Sequence, residues 1–220
     1  MSVSSKIKIL KEKLPENVRL VAVSKFHPAE SITEAYNAGQ RIFGESRAQE
    51  LKTKQKVLPT DIEWHFIGPL QSNKVKDIAP FVHTIHSIDS FKLLEEANKQ
   101  ACKQNRIIRV LLEIHIAMEE DKHGFTPDEV KMLLDRKDIT VFKNIRISGL
   151  MGMATFTDNS VQVQKEFHSL KVLFDELKST YFHDKDYFNE ISMGMTDDYE
   201  IAIQEGSTMV RIGSYLFGKR

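Results

Sequence analysis

The sequence contains one cysteine, Cys102, in 220 residues. No intramolecular disulfide can form. Cys102 sits in the helical pattern FKLLEEANKQACKQN, which predicts a buried or half-buried helix residue. No histidine lies beside it at helical spacing to activate it as a nucleophile. No apolar run approaches the ~18 residues of a membrane span. The opening MSVSSKIKILKEKLPE interleaves lysines with short apolar pieces and lacks a secretory core. A soluble, cytoplasmic protein is expected. Neither sign of charge dominates: Lys plus Arg is 31 and Asp plus Glu is 31. A neutral chain does not announce binding to nucleic acid or to an anionic membrane. Low-complexity tracts and Gly/Ser linkers are absent too, so residues 1–220 read as a single domain.

What the sequence does contain is a rhythm. Short β-branched and aromatic runs alternate with longer helical patterns. The runs are 19–24, 41–44, 62–67, 82–88, 107–116, 145–151, 187–191 and 209–212. Alternation of this kind implies βαβ units and a parallel sheet. Eight runs in one unbroken unit favour an α/β fold of the (β/α)8 TIM-barrel type, with an open doubly wound sheet as the alternative. Pro28 and Gly39 bracket one helix, with Ile32, Ala35 and Tyr36 on one face. Thr126, Pro127 and the acids after them read as a helix start. Val163, Phe167, Leu170, Phe174 and Leu177 form a stripe at helical spacing, which predicts core packing.

Ligands of parallel α/β folds meet the C-terminal ends of the strands. Lys25 directly follows the first run there. Desolvation would free its amine to attack a carbonyl, while a lysine snorkelling to water is the plainer alternative. Ser192 and Gly194 follow the seventh run, and Gly213 and Ser214 follow the eighth. Small residues, hydroxyls and free amides before a helix make an anion cup, and the loops after strands seven and eight are the frequent phosphate site of barrels. These glycines could equally serve tight turns. An amine and a phosphate cup on one face suggest a phosphorylated aldehyde, pyridoxal 5'-phosphate (PLP).

Four blocks carry a more specific signal: VAVSK at 21–25, HFIGPLQSNK at 65–74, SMGMTDD at 192–198 and GSTMVRIGSYLFG at 206–218. In these the chain resembles the pyridoxal phosphate homeostasis protein family, which is similar in fold to the barrel domain of alanine racemase. The resemblance implies a Schiff base between PLP and Lys25. It implies phosphate contacts from Ser192, Gly194, Gly213 and Ser214, and Arg211 under the pyridine nitrogen. His65, Ile67 and Asn73 belong to the third-strand signature. Three places depart from the family pattern. Ser46 stands where Gly-Glu-Asn is usual, His115 replaces an Asn, and Lys122-His123-Gly124-Phe125 carries a bulky middle residue. A lone histidine such as His115 is read as structural.

The resemblance implies a PLP carrier that exchanges cofactor with apo-enzymes or the free pool, not a proficient enzyme. A PLP-dependent racemase is the alternative, and a barrel binding another phosphorylated metabolite is a third reading. Racemases of this class resemble a barrel plus a second β domain that supplies an opposing base. This chain ends at Arg220, soon after the eighth run, and offers one base, Lys25. A monomer is expected, because no heptad pattern stands out.

Overall fold

The computed structural model describes residues 1–118 and 123–218. Eight parallel strands close into a barrel in sequential order. They are β1 Arg19–Val23, β2 Ile42–Glu45, β3 Glu63–Phe66, β4 Thr84–Ile88, β5 Ile108–Ile114, β6 Ile145–Gly152, β7 Glu190–Ser192 and β8 Met209–Ile212. The helices are α1 Val3–Lys13, α2 Ala29–Asn37, α3 Ala48–Lys54, α4 Ser72–Ile78, α5 Phe91–Lys103, α6 Pro127–Leu134, α7 Ser160–Thr180, α8 Tyr199–Gln204 and α9 Ser214–Phe217. The eight runs read from the sequence are the eight strands, and the open-sheet alternative falls. Among the described residues no helix is long and apolar enough to cross a membrane.

Alternation along each strand sorts residues between two environments. Leu20, Ala22, Trp64, Phe66, Ile191, Val210 and Ile212 join the apolar layer beneath the helices. Their neighbours Arg19, His65, Glu190, Ser192 and Arg211 face the other way, so the barrel is filled by polar groups as well as by Val21, Leu111 and Met209. At the N-terminal end Arg19 pairs with Glu190, and Arg109 lies 3.5 Å from the same carboxylate. Gly149 permits the β6–β7 contact. A Cβ there would sit 1.8 Å from the Glu190 carbonyl oxygen.

The helices follow their sequence signals closely. Thr126 caps α6 through a reciprocal capping box with Glu129, with Pro127 in the first turn. All five residues of the 163–177 stripe are buried on α7, each burial worth about 1.5–3 kcal/mol. Three details differ. Residues 3–13 form a helix capped by Ser2, which buries Ile7 and Leu10 and leaves Lys8 and Lys13 exposed. Cys102 is exposed, not buried. Leu94, Ala97 and Ala101 take the inner face of α5, and the next residue rotates away from it. Strand β7 begins at Glu190 and not at Tyr187. Phe188 turns instead into a stack with Phe174 and Phe182, at 4.9 and 4.0 Å between centroids.

Candidate functional site

A cavity of about 450 Å³ opens at the C-terminal end of the barrel, within the range of small-molecule sites. Its walls include Lys25, Ile67, Thr196, Arg211, Gly213 and Ser214. Four of the residues singled out from the sequence therefore meet in one space: Lys25, Arg211, Gly213 and Ser214. Thr196 is an addition. Its hydroxyl lies 3.0 Å from that of Ser214, so the loop after β7 and the start of α9 touch across the rim. The next helix, α8, begins only at Tyr199, with Asp198 as its cap, and this leaves Thr196 in a turn facing the cavity.

Lys25 is presented by a strained bend. Phe26 has φ +67°, a left-handed conformation rare for a bulky side chain and costing about 1–3 kcal/mol. Residues around it over-determine the bend. The Phe26 amide donates to Glu50 Oε1 at 2.6 Å. Arg47 lies over the Phe26 ring at 4.5 Å. Buried Ser24 donates from Oγ to Glu45 Oε1 at 2.6 Å. Lys54, also buried, donates to the Ser24 carbonyl at 2.8 Å and to Glu45 Oε1 and Glu50 Oε1 at 2.7 Å each. Burial pushes the Glu45 carboxyl above its ordinary range, against the pull of Lys54. Lys54 was missed in the sequence because it falls at the end of an ordinary surface-patterned helix.

Ser192 and Gly194 are not brought to the cavity wall. Ser192 is fully buried, and its oxygen accepts from Arg211 at 2.7 Å and lies 3.0 Å from His86 Nδ1. Arg211 also donates to the carbonyls of Ser192 and Gly152, at 2.8 and 3.1 Å. Gly194 has φ +93°, and a Cβ there would strike Ala202 at 2.6 Å. Both residues fix Arg211 and the turn beside it, since the Arg211 amide donates to the Gly194 carbonyl at 2.9 Å. Gly213 caps α9. A Cβ on it would lie 3.2 Å from Val23, so it also permits the approach to β1.

Of the third-strand signature, Ile67 lines the cavity, His65 is buried inside the barrel and Asn73 is exposed on α4. Ser46 packs under Gly68, where a Cβ would lie 2.6 Å away. The His115 amide donates to the Phe125 carbonyl at 2.9 Å. His123 is exposed, and Lys122 lies outside the described residues.

Burial governs the charges inside the barrel. Arg211 is drawn down to about 10, chiefly by desolvation, and stays protonated at neutral pH. Desolvation and the nearby Asp89 push Glu113 up to about 7. Desolvation holds His65 and His86 well below the usual imidazole range. These shifts make opposed contributions to stability. As pH falls below ~6.5 the unfolded chain takes up protons that the two buried histidines refuse, costing about 1.4 kcal/mol per histidine per pH unit. Glu113 holds a proton in the folded state that the unfolded chain releases between ~4.5 and about 7, so it gains stability as pH falls through that window. Between about pH 6.5 and 4.5 Glu113 therefore offsets part of the loss from the histidines, and below ~4.5 it no longer does. In urea titrations Glu113→Gln should steepen the loss of stability with falling pH over this window by about 1.4 kcal/mol per pH unit. An unchanged slope would show that Glu113 does not titrate there.

A closed parallel barrel with a lysine and a buried arginine on one cavity wall defines an alanine-racemase-type barrel. The family described as "Alanine racemase, N-terminal domain" matches residues 2–220. Within that class, the chain belongs to the pyridoxal phosphate homeostasis protein family. Its relative of that name from Aquifex aeolicus is 41% identical over 203 residues, 92% of this chain and 87% of that one. The Escherichia coli K12 relative is 38% identical over 210 residues, 94% and 87% of the two chains. Among solved structures, PipY of Synechococcus elongatus with PLP bound superposes with a TM-score of 0.89 at 34% identity, covering 99% of this chain and 100% of that one. Alanine racemase from E. faecalis superposes with a TM-score of 0.74 at 15% identity, covering 99% of this chain and 58% of that one. At that identity the likeness is one of fold.

Proposed function

We propose that this chain binds PLP and serves its homeostasis, holding the cofactor on Lys25 and exchanging it with apo-enzymes or the free pool. The observation that carries this reading is the meeting of Lys25, Arg211 and the start of α9 on one cavity. PLP supplies an aldehyde for covalent capture and a ring that acts as an electron sink. The residues present fit it. Lys25 offers the amine. Ser214, Thr196 and the leading amides of α9, which have no acceptors within their helix, offer donors to a phosphate. Gly213 keeps that helix start against β1. In this reading Gly194 shapes the turn beside the phosphate end, and Ser192 fixes Arg211 at the ring-nitrogen end. Asp197 and Asp198 also line the cavity. Asp198 accepts the Met195 amide, which occupies one of its oxygens.

Arg211 supports a carrier over a catalyst. A guanidinium can donate but not accept, so Arg211 would hold the ring nitrogen of a bound PLP unprotonated and would weaken its electron sink. Amino-acid racemisation and decarboxylation are expected to be slow or negligible. The chain is read as a monomer acting in the cytoplasm. The test mixes the loaded protein with an apo-form of a PLP enzyme and follows recovered activity. In parallel, a panel of L- and D-amino acids is assayed with the loaded protein alone. Recovery of the acceptor with no appreciable turnover is expected. A kcat near the ~10 s⁻¹ typical of enzymes on any amino acid would overturn the carrier reading.

A further inference from the structure

At the opposite end of the barrel from the cavity, Glu63 opens β3, His65 lies two residues along it, and His83 immediately precedes β4. Each offers one ligand atom, and these atoms all lie within 4.8 Å of one another. His65 is fully buried, yet its Nε2 has no hydrogen-bond partner among the described residues. A buried polar atom left this way carries a cost and calls for an explanation. Its other nitrogen is engaged, with Nδ1 2.8 Å from His86 Nε2. His83 is arranged alike. Its Nδ1 lies 2.9 Å from Thr84 Oγ1, and its Nε2 lies 3.8 Å from Glu63 Oε2. The rings of His65 and His83 are parallel within 4°, with centroids 5.6 Å apart.

We propose that Glu63, His65 and His83 bind one divalent transition-metal ion of the zinc type, at the N-terminal end of the barrel. Two imidazoles and a carboxylate suit zinc and its neighbours better than calcium or magnesium, which favour all-oxygen sites. Three protein ligands leave a fourth position for water. Each histidine is oriented from behind through its non-ligating nitrogen, as metal-bound histidines usually are. Tetrahedral bonds of about 2.0–2.1 Å put ligand atoms about 3.4 Å apart, so the widest pair must close by roughly 1.4 Å. Glu63 and His83 have that freedom, with side chains 43% and 37% exposed, and their exposure gives the ion its entrance. His65 is the fixed point. Arg19 and Arg109 act on both histidines from the same end and oppose a cation. They share the Glu190 carboxylate, and Arg106 acts on His83 as well, so these three arginines against Glu63 and Glu190 leave a net charge of +1. The repulsion lowers affinity without forbidding binding, so the site is a labile one and not a metal that folding depends on.

Binding would also reach the cavity. A metal on His65 Nε2 requires the proton on Nδ1, which then donates to His86 Nε2. His86 must in turn donate from Nδ1 to Ser192, the residue that steadies Arg211. The test uses the full chain without a histidine tag, cleared of metal with a chelator. Co2+ is titrated in and read by its visible absorption, then displaced with Zn2+, and equilibrium dialysis gives the stoichiometry. One Co2+ per chain is expected, displaced by Zn2+. His83→Ala and Glu63→Gln, at partly exposed positions, should each weaken uptake at least tenfold, and Cys102→Ala should leave it unchanged. No saturable uptake, unchanged affinity in both variants, or loss of uptake in Cys102→Ala would overturn the site.

Discussion

Lys25→Ala is expected to abolish the borohydride-trapped PLP adduct and the visible absorption of the loaded protein. The amine stands at the end of β1 on the cavity wall, and among the described residues no other residue of this wall is a lysine. Peptide mapping after reduction of the wild type should place the adduct on the peptide containing Lys25. An adduct on Lys74, exposed on α4, or on Lys122 would remove the assignment. Ser214→Ala is the informative companion. It should keep the covalent adduct but release cofactor faster, because one charged hydrogen bond is worth about 1.5–3 kcal/mol. Equal retention in Ser214→Ala would place the phosphate elsewhere on the wall.

Lys54→Met is expected to destabilise the chain by about 3–5 kcal/mol at neutral pH. The ammonium holds together Glu45, Glu50 and the Ser24 carbonyl. Its loss leaves Glu45 buried, with a carboxyl that burial already pushes up. The damage should shrink in acid. Below the raised pKa of Glu45 and above the ordinary carboxylate range, the folded variant keeps a proton that the unfolded chain gives up. Glu45→Gln added to Lys54→Met should recover much of the loss, since the uncompensated charge is then gone. Chemical denaturation of the wild type and the two variants at pH 5 and pH 7.5 decides it. A single variant as stable as wild type at neutral pH would show that the cluster is not a structural support. The same variant should capture PLP more weakly, because the bend after Lys25 loses its brace.

The barrel was legible because its strands are short apolar runs separated by well-signalled helices. Lys25, Gly213 and Ser214 were picked out because strand ends and glycines fall where parallel folds place their ligands, and Arg211 through the family resemblance alone; all four line the cavity. Ser192 and Gly194 lie in the right loop, but sequence does not say which way a residue at a strand end turns. Ser192 turns inward to Arg211, and Thr196, two turn positions beyond Gly194, takes the rim. Lys54 and His86 were out of reach for another reason. Each acts through partners distant in sequence, Ser24 in the first case and Ser192 in the second. Their neighbourhoods carry no local mark of that role.

The bend after Lys25 sets an order of events during synthesis. Phe26 holds an unfavourable conformation only while Glu50 and Lys54 grip residues 24–26. Lys54 is made 29 residues after Lys25. Until β2 and α3 have emerged and docked, the segment around Lys25 relaxes to an ordinary extended chain, and its amine is one lysine among many. The nascent protein therefore has no privileged hook for a reactive aldehyde. In the proposed role of Lys25, cofactor capture waits until the second βα unit has docked onto the first, which would tie it to the success of folding.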